Sequence, residues 1–266
     1  MTETILFNQG ALLIFIMPFL GFLVAGLSRR QDPEIRGNRI LRHDVPARVA
    51  HWSHAIGTVL LLVSGFLLGT RITPSLVGGG EGSAPWFNVH YVFACLFLFG
   101  TFYWVGNTII STYRLREHLP TKRAFIYTIN HYGSLMGFKR FTYPREEKYF
   151  ESERMAFVAA VGIAAAMAVT GILKTLTRWV AIPGEVMLVV NWAHDLFAVL
   201  MLLFLLAHVF FAVVIPSSWK TFPSMLHGTV PFDHAKEEHA AWVEELEKKQ
   251  AQTKTAEAKA DTKKEA

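Results

Sequence analysis

The sequence predicts an all-α integral membrane protein, a four-helix bundle preceded by one extra N-terminal transmembrane helix. Of its 266 residues, 52% are hydrophobic and only 18% are charged, and the charges are collected in a few blocks. Between these blocks lie apolar stretches that are long enough, or nearly so, to cross a hydrocarbon core about 30 Å thick as helices. They are residues 5–27, 49–69, 89–110, 156–173 and 186–215.

The first stretch is predicted to be an uncleaved helix rather than a signal peptide. No positive charge precedes it, and Arg29 and Arg30 follow its apolar core. A signal peptide has the opposite arrangement, with its positive charges before the apolar region. Residues 1–30 are therefore expected to form the extra transmembrane helix.

The connecting segments differ in positive charge, and this difference predicts the orientation of the chain. The segments after the first and third stretches are rich in arginine and lysine, whereas the other two connections carry little positive charge. By the positive-inside rule, the N-terminus lies outside and the C-terminus lies in the cytoplasm. Because the basic residues flank membrane segments, topology explains the net charge of +5, and no nucleic-acid partner is expected.

The rest of the chain divides into a membrane domain, residues 31–232, and a charged cytoplasmic tail, residues 233–266. Few large apolar side chains follow Leu246 in this tail. Segments of that composition cannot bury enough apolar surface to hold a fold of their own. The tail is expected to be a short helix that is disordered toward its end.

Histidines within the apolar stretches are the main candidates for functional residues. His194 and His208 are fourteen residues apart in one stretch, which places them on nearly the same helix face and roughly 21 Å apart along the axis. His51 opens the second stretch and His90 opens the third. With the predicted orientation, His51 matches His208 near the cytoplasmic side, and His90 matches His194 near the outer side. His54 lies too close to His51 in sequence for spacing alone to separate the two.

Two imidazoles that face each other across a helical bundle suit the axial ligation of a b-type haem. A single intramembrane histidine can instead form a hydrogen bond to a neighbouring helix. A proton relay is a further alternative, but it favours acidic residues at depth, and Asp195 is the only acid near these histidines. Cys95 is the only cysteine, which excludes an intramolecular disulfide, an iron–sulfur cluster and a covalent haem site of the Cys-x-x-Cys-His type.

Two glycines support the haem interpretation. Gly65 lies fourteen residues after His51, on nearly the same face, and Gly171 has a similar place in the fourth stretch. A glycine opposite a haem allows the porphyrin to approach the backbone closely. Close packing of helices through small residues is the alternative for each. Both glycines follow a serine or a threonine, which indicates a faint internal repeat.

Three segments carry a family resemblance: RVAHWSHAIGTVLLLVSG, VHYVFACLFLFG, and HDLFAVLMLLFLLAHVFFAV followed by WKTFPSMLHGTV. Together they resemble the cytochrome b (gamma) subunit of membrane-bound formate dehydrogenases. Cytochromes b of thiosulfate reductases and hydrogenases are more distant relatives. The resemblance covers roughly residues 48–249, and its specific parts are the Arg-x-x-His-Trp opening and the His-x13-His pair.

The resemblance implies a four-helix core that binds two b haems in a bacterial inner membrane. The inner haem would be bound by His51 and His208, and the outer haem by His90 and His194. It also implies an iron–sulfur subunit and a catalytic subunit on the outer face, and a quinone, menaquinone or ubiquinone, near the cytoplasmic side. Because six-coordinate iron has no open position, the expected role is electron transfer without a primary substrate site.

The quinone contacts of the family carry over only in part. Its motif before the fourth stretch resembles Lys-Tyr-Asn-x-x-Gln-Lys, where this chain has Lys148-Tyr149-Phe150-Glu151-Ser152-Glu153-Arg154. Glu153 could hydrogen-bond or protonate a quinone oxygen. An acidic residue in the first turn of a helix, beside a basic loop, is the structural alternative.

Other function classes stay open at this point. Within the redox class, the chain could serve a thiosulfate reductase or a hydrogenase in either direction of electron flow. A haem-free membrane anchor would tolerate replacement of all four histidines by leucine. A proton-coupled transporter would show transport in liposomes and no visible absorption.

Overall fold

The computed structural model describes residues 6–69, 84–110, 112–138 and 144–264, and it confirms the all-α membrane fold. Four helices of the described chain are long and apolar enough to cross a membrane: Val45–Leu68, Pro85–Ile110, Glu151–Leu176 and Gly184–Val214. The main helices are α1 Leu6–Gly10, α2 Leu13–Leu27, α3 Val45–Gly69, α4 Ala84–Ile110, α5 Thr112–His118, α6 Ala124–Leu135, α7 Glu151–Leu176, α8 Gly184–Val209, α9 Ser224–His227, α10 Phe232–Glu238 and α11 Ala240–Lys264.

The N-terminal apolar stretch is helical, but it is divided in two and is not among the four helices long enough to cross a membrane. A turn at residues 11–12 separates α1 from α2, and α2 has 15 residues. At 1.5 Å per residue, α2 is about 22 Å long, shorter than a hydrocarbon core of about 30 Å. The apolar run in the sequence does not show this turn, because both of its sides are equally hydrophobic.

Small residues allow α2 to pack tightly on α4. A Cβ atom added to Gly21 would lie 2.6 Å from the carbonyl oxygen of Phe99 and 2.8 Å from the amide nitrogen of Tyr103. One turn further along α2, Ala25 is fully buried, and its Cβ lies 2.7 Å from the Cβ position that Gly106 lacks. Backbone contact through small residues is the usual way in which membrane helices associate.

By its internal contacts the chain forms two compact units. The first consists of residues 1–29, 49–112 and 159–208, and the second of residues 30–48, 113–158 and 209–266. The first unit contains the long apolar helices over most of their length, and many of their large apolar side chains are exposed. Exposed apolar side chains along spanning helices are what a lipid environment accommodates.

The second unit contains a small antiparallel sheet that the sequence analysis does not predict. Its strands are β1 Ile35–Arg36, β2 Arg39–Leu41 and β3 Thr229–Pro231, in the order β1-β2-β3. Gly37 takes a positive φ of 59° in the turn between β1 and β2. Strands of two or three residues are too short to give an alternating pattern in the sequence.

The start of the C-terminal tail belongs to the core of the second unit. Ala235, Trp242, Val243 and Leu246 are buried in one apolar cluster with Ile40 and Val230 of the sheet. The domain boundary expected at residue 233 therefore falls inside a packed region. Beyond Leu246, α11 continues to Lys264, exposed from Glu247 through residue 260.

Candidate functional site

All four candidate histidine ligands lie in the first compact unit. His51 is on α3, His90 is on α4, and His194 and His208 are on α8. The fold brings His51 next to His208, and His90 within electrostatic range of His194. These are the two pairs that charge and depth predict from the sequence.

The His51–His208 pair has the spacing of two ligands to one metal. The centres of the two imidazole rings are 6.2 Å apart. Two imidazoles that each bind one metal through a nitrogen at about 2 Å have ring centres roughly 6 Å apart. The Nδ1 atom of His51 is buried and has no hydrogen-bond partner within the described chain. The pair therefore fits the axial ligation of a haem iron.

At the other pair, a hydroxyl group lies within hydrogen-bond distance of Nδ1 of each imidazole. The Ser64 hydroxyl donates to the carbonyl oxygen of Leu60 at 2.6 Å, so its oxygen accepts from Nδ1–H of His90 at 3.0 Å. The Thr170 hydroxyl donates to a carbonyl oxygen of its own helix, and its oxygen accepts from Nδ1–H of His194 at 2.8 Å. A neutral imidazole with its hydrogen on Nδ1 has a free lone pair on Nε2.

This arrangement is the one by which proteins orient metal-binding histidines. A second hydrogen bond to the ring fixes the tautomer and points the other nitrogen at the metal. Ser64 and Thr170 are hydrogen-bond partners of the candidate ligands that the sequence analysis missed, although their signal was present. Each directly precedes one of the two candidate glycines, Gly65 and Gly171.

The two glycines lie beside His90 and His194. A Cβ atom on Gly65 would lie 3.2 Å from Cε1 of His90, and one on Gly171 would lie 3.7 Å from Cε1 of His194. In the sequence, Gly65 shares a face with His51, yet the structure places it against His90. Because glycine has no side chain, both positions leave space for the imidazoles, and a porphyrin bound between the histidines could occupy part of that space.

His54 is distinguished from His51 by its hydrogen bond. The Thr101 hydroxyl donates to the carbonyl oxygen of Phe97 at 2.8 Å, so its oxygen accepts from Nε2–H of His54 at 3.1 Å. The His54 ring also packs edge-on against Phe97, with 4.7 Å between ring centres. An Nε2 atom that donates this hydrogen bond is not available to a metal, although Nδ1 of the same ring keeps its lone pair.

Glu153 lies in the second unit, and its carboxylate is engaged by protein groups. Its oxygens accept hydrogen bonds from the Arg42 guanidinium at 3.0 and 3.1 Å and from the amide of Phe150 at 2.9 Å. The guanidinium also donates to the carbonyl oxygen of Lys148 at 3.0 Å. The geometry is that of an acidic residue that stabilises the first turn of α7, the structural alternative from the sequence.

The second unit also buries several titratable groups near Glu153. Burial raises the pKa of Glu238 and of Glu146 from 4.5 to about 7 in each case. Burial, reinforced by the Arg42 charge, lowers the pKa of His239 to about 3. His239 is therefore neutral at pH 7, and its Nδ1–H donates to the carbonyl oxygen of Glu147 at 2.6 Å. No pattern in the sequence marks these groups, because their burial depends on the fold of residues far apart in the chain.

Comparison with known proteins is consistent with this site. A protein-family model described as prokaryotic cytochrome b561 matches residues 42–228, which include all four histidines. No curated protein sequence matches the chain.

Proposed function

The chain belongs to the prokaryotic cytochrome b561 family, and from that premise we propose that it is the membrane subunit of a respiratory oxidoreductase and holds two b haems. Membership makes the chain a bacterial membrane protein that binds b-type haem and transfers electrons. Bound haem supplies the one-electron carrier, and the protein supplies the ligands, their orientation and the apolar surroundings.

The observation that carries the proposal is the arrangement of the four histidines in two pairs. His51 and His208 have the ring spacing of two ligands to one iron. His90 and His194 each keep Nε2 available, because a hydroxyl group holds Nδ1. Two ligands from the protein leave no open position on a haem iron, so each site supports electron transfer and not oxygen chemistry.

The proposed side of the membrane for each site rests on charge, and the proposed partners and direction of electron flow rest on the resemblance noted in the sequence. Basic connecting segments favour a cytoplasmic C-terminus, so the His51–His208 site is the inner one in this proposal. Electrons then enter from an iron–sulfur subunit on the outer face and reach menaquinone or ubiquinone near the cytoplasm. Formate dehydrogenase is the proposed partner enzyme; thiosulfate reductase and hydrogenase are the alternatives. A quinone contact by Glu153 stays a prediction. A quinone would have to compete with Arg42 for the carboxylate oxygens of Glu153.

The proposal is tested by the reduced-minus-oxidised visible spectrum of the purified full-length chain, with haem quantified per polypeptide. Two b haems per chain, lost together when all four histidines are replaced by leucine, are the expected result. Folded protein without haem, made where haem is plentiful, would overturn the proposal in favour of an anchor or a transporter. Proteins that copurify with the chain from its native membrane would then identify the partner enzyme.

A further inference from the structure

Lys174 is a cation beside the outer histidine pair to which no role has been given. It lies in the last turn of α7, four residues after Thr170 and three after Gly171. Residues at these spacings share one face of a helix. Thr170 and Gly171 both contact His194, at 2.8 Å and 3.7 Å respectively, the latter measured from the glycine's Cβ position. Lys174 therefore lies on the face of α7 that is turned to the candidate haem ligand.

The electrostatic surroundings of Lys174 agree with this placement. Its ammonium group interacts electrostatically with both outer histidines, His90 and His194, and with the carboxylate of Asp195. The carboxylate of Asp195 forms no ion pair with Lys174 within 4.0 Å, so the two groups interact only at a longer distance. Lys174 is exposed at this end of the helix, and no described carboxylate lies within ion-pair distance of its ammonium group.

Because the ammonium group is exposed at the end of α7, it is accessible to an anion bound beside His90 and His194. The C-terminal end of α7 supplies only a partial negative charge. The cofactor that His90 and His194 are suited to hold carries anionic carboxylate groups at its edge. A lysine one helical turn from the ligand contact is in reach of such a group, because its side chain has four methylene groups.

We propose that Lys174 binds a carboxylate of the haem held by His90 and His194, and that its positive charge raises the reduction potential of that haem. This inference rests on the proposed function, since it requires haem at the outer site. Reduction adds one negative charge to the haem, so a nearby cation stabilises the reduced form. Asp195 has the opposite charge and is expected to act in the opposite direction.

The alternative is that Lys174 extends its ammonium group to the aqueous surface and leaves the haem alone. A redox titration of the visible spectrum distinguishes the two. In Lys174→Gln, the outer haem should become harder to reduce by about tenfold in equilibrium constant, which is 59 mV for one electron. Asp195→Asn should shift the same haem the other way, and Lys174→Arg should restore the potential. Lys254→Gln, in the exposed part of α11, is the control and should have little effect.

The outer haem is identified in these titrations as the component that disappears in His194→Ala. Equal potentials in the wild type and Lys174→Gln would overturn this inference and leave the proposed function intact. A shift that affects only the other haem would overturn it as well. Wild-type protein without haem would instead refute the proposed function itself, so the two failures are distinguishable.

Discussion

Replacement of Thr170 by valine should weaken haem binding at the outer site. Valine has nearly the shape of threonine, so the change removes the hydroxyl and little else. His194 then loses the acceptor that lies 2.8 Å from its Nδ1. A buried donor left without a partner costs about 1–3 kcal/mol, which corresponds to roughly tenfold to a hundredfold in affinity. Loss of an outer hydrogen bond to a metal-binding histidine has effects of about the same size.

The measurement is the rate at which each haem is transferred to an excess of an apo-globin acceptor, followed in the visible spectrum. Thr170→Ser keeps the hydroxyl and should release haem at close to the wild-type rate. Ser64→Ala removes the equivalent acceptor from His90 and should accelerate loss of the same haem. The haem held by His51 and His208 should be unaffected in all three variants.

The reasoning fails if Thr170→Val releases its outer haem as slowly as the wild type does. In that case the hydroxyl would serve only to donate a hydrogen bond to the carbonyl oxygen of Ala166 in its own helix, and it would not orient His194. Accelerated loss of both haems would also contradict it, because the change would then have disturbed the whole bundle.

Three further predictions address the inner site, the N-terminal helix and the second unit. His208→Ala should halve the haem content and leave the outer haem reducible, whereas His54→Ala should keep both haems; retention of both in His208→Ala would contradict the ligand assignment. Gly21→Val places methyl groups where the α4 backbone lies, so it should lower the free energy of unfolding by about 1–3 kcal/mol, measured by thermal unfolding in detergent. Burial raises the pKa of Glu238 to about 7, so the stability contributed by its protonated form is complete below pH 4.5 and is lost as the pH rises through 7. Above pH 7, Glu238→Gln should therefore unfold at a higher temperature than the wild type, because its free energy of unfolding should be larger by up to about 3 kcal/mol. The exposed Glu237→Gln should unfold at the wild-type temperature.

The sequence was sufficient to predict the four long membrane helices, and it predicted the pairing of their histidines. Helix length and hydrophobicity are local properties, and within the bilayer they fix where the chain can cross. The charge of the connecting segments then predicts on which side of the membrane each helix end lies. That ordering was enough to match His51 with His208 and His90 with His194, because each pair needs only the same depth.

Spacing along a helix was not sufficient to assign neighbours between helices. Gly65 shares a helix face with His51 in the sequence, but α3 presents this glycine to His90 on α4. The rotation of one helix against another depends on side-chain packing over its whole length, which no periodicity within one helix contains. The turn at residues 11–12 and the three short strands were missed for a related reason, since neither has a distinct apolar pattern.

The sequence by itself determined that this chain crosses a membrane, and it predicted that four of its histidines serve as two pairs of ligands. Only the tertiary structure decided that Ser64 and Thr170 hold two of those imidazoles in the tautomer that leaves Nε2 free. It also separated His54 from His51, through the hydroxyl of Thr101. Hydrogen bonds between helices depend on distances of a few tenths of an ångström, and those distances exist only once the helices have packed.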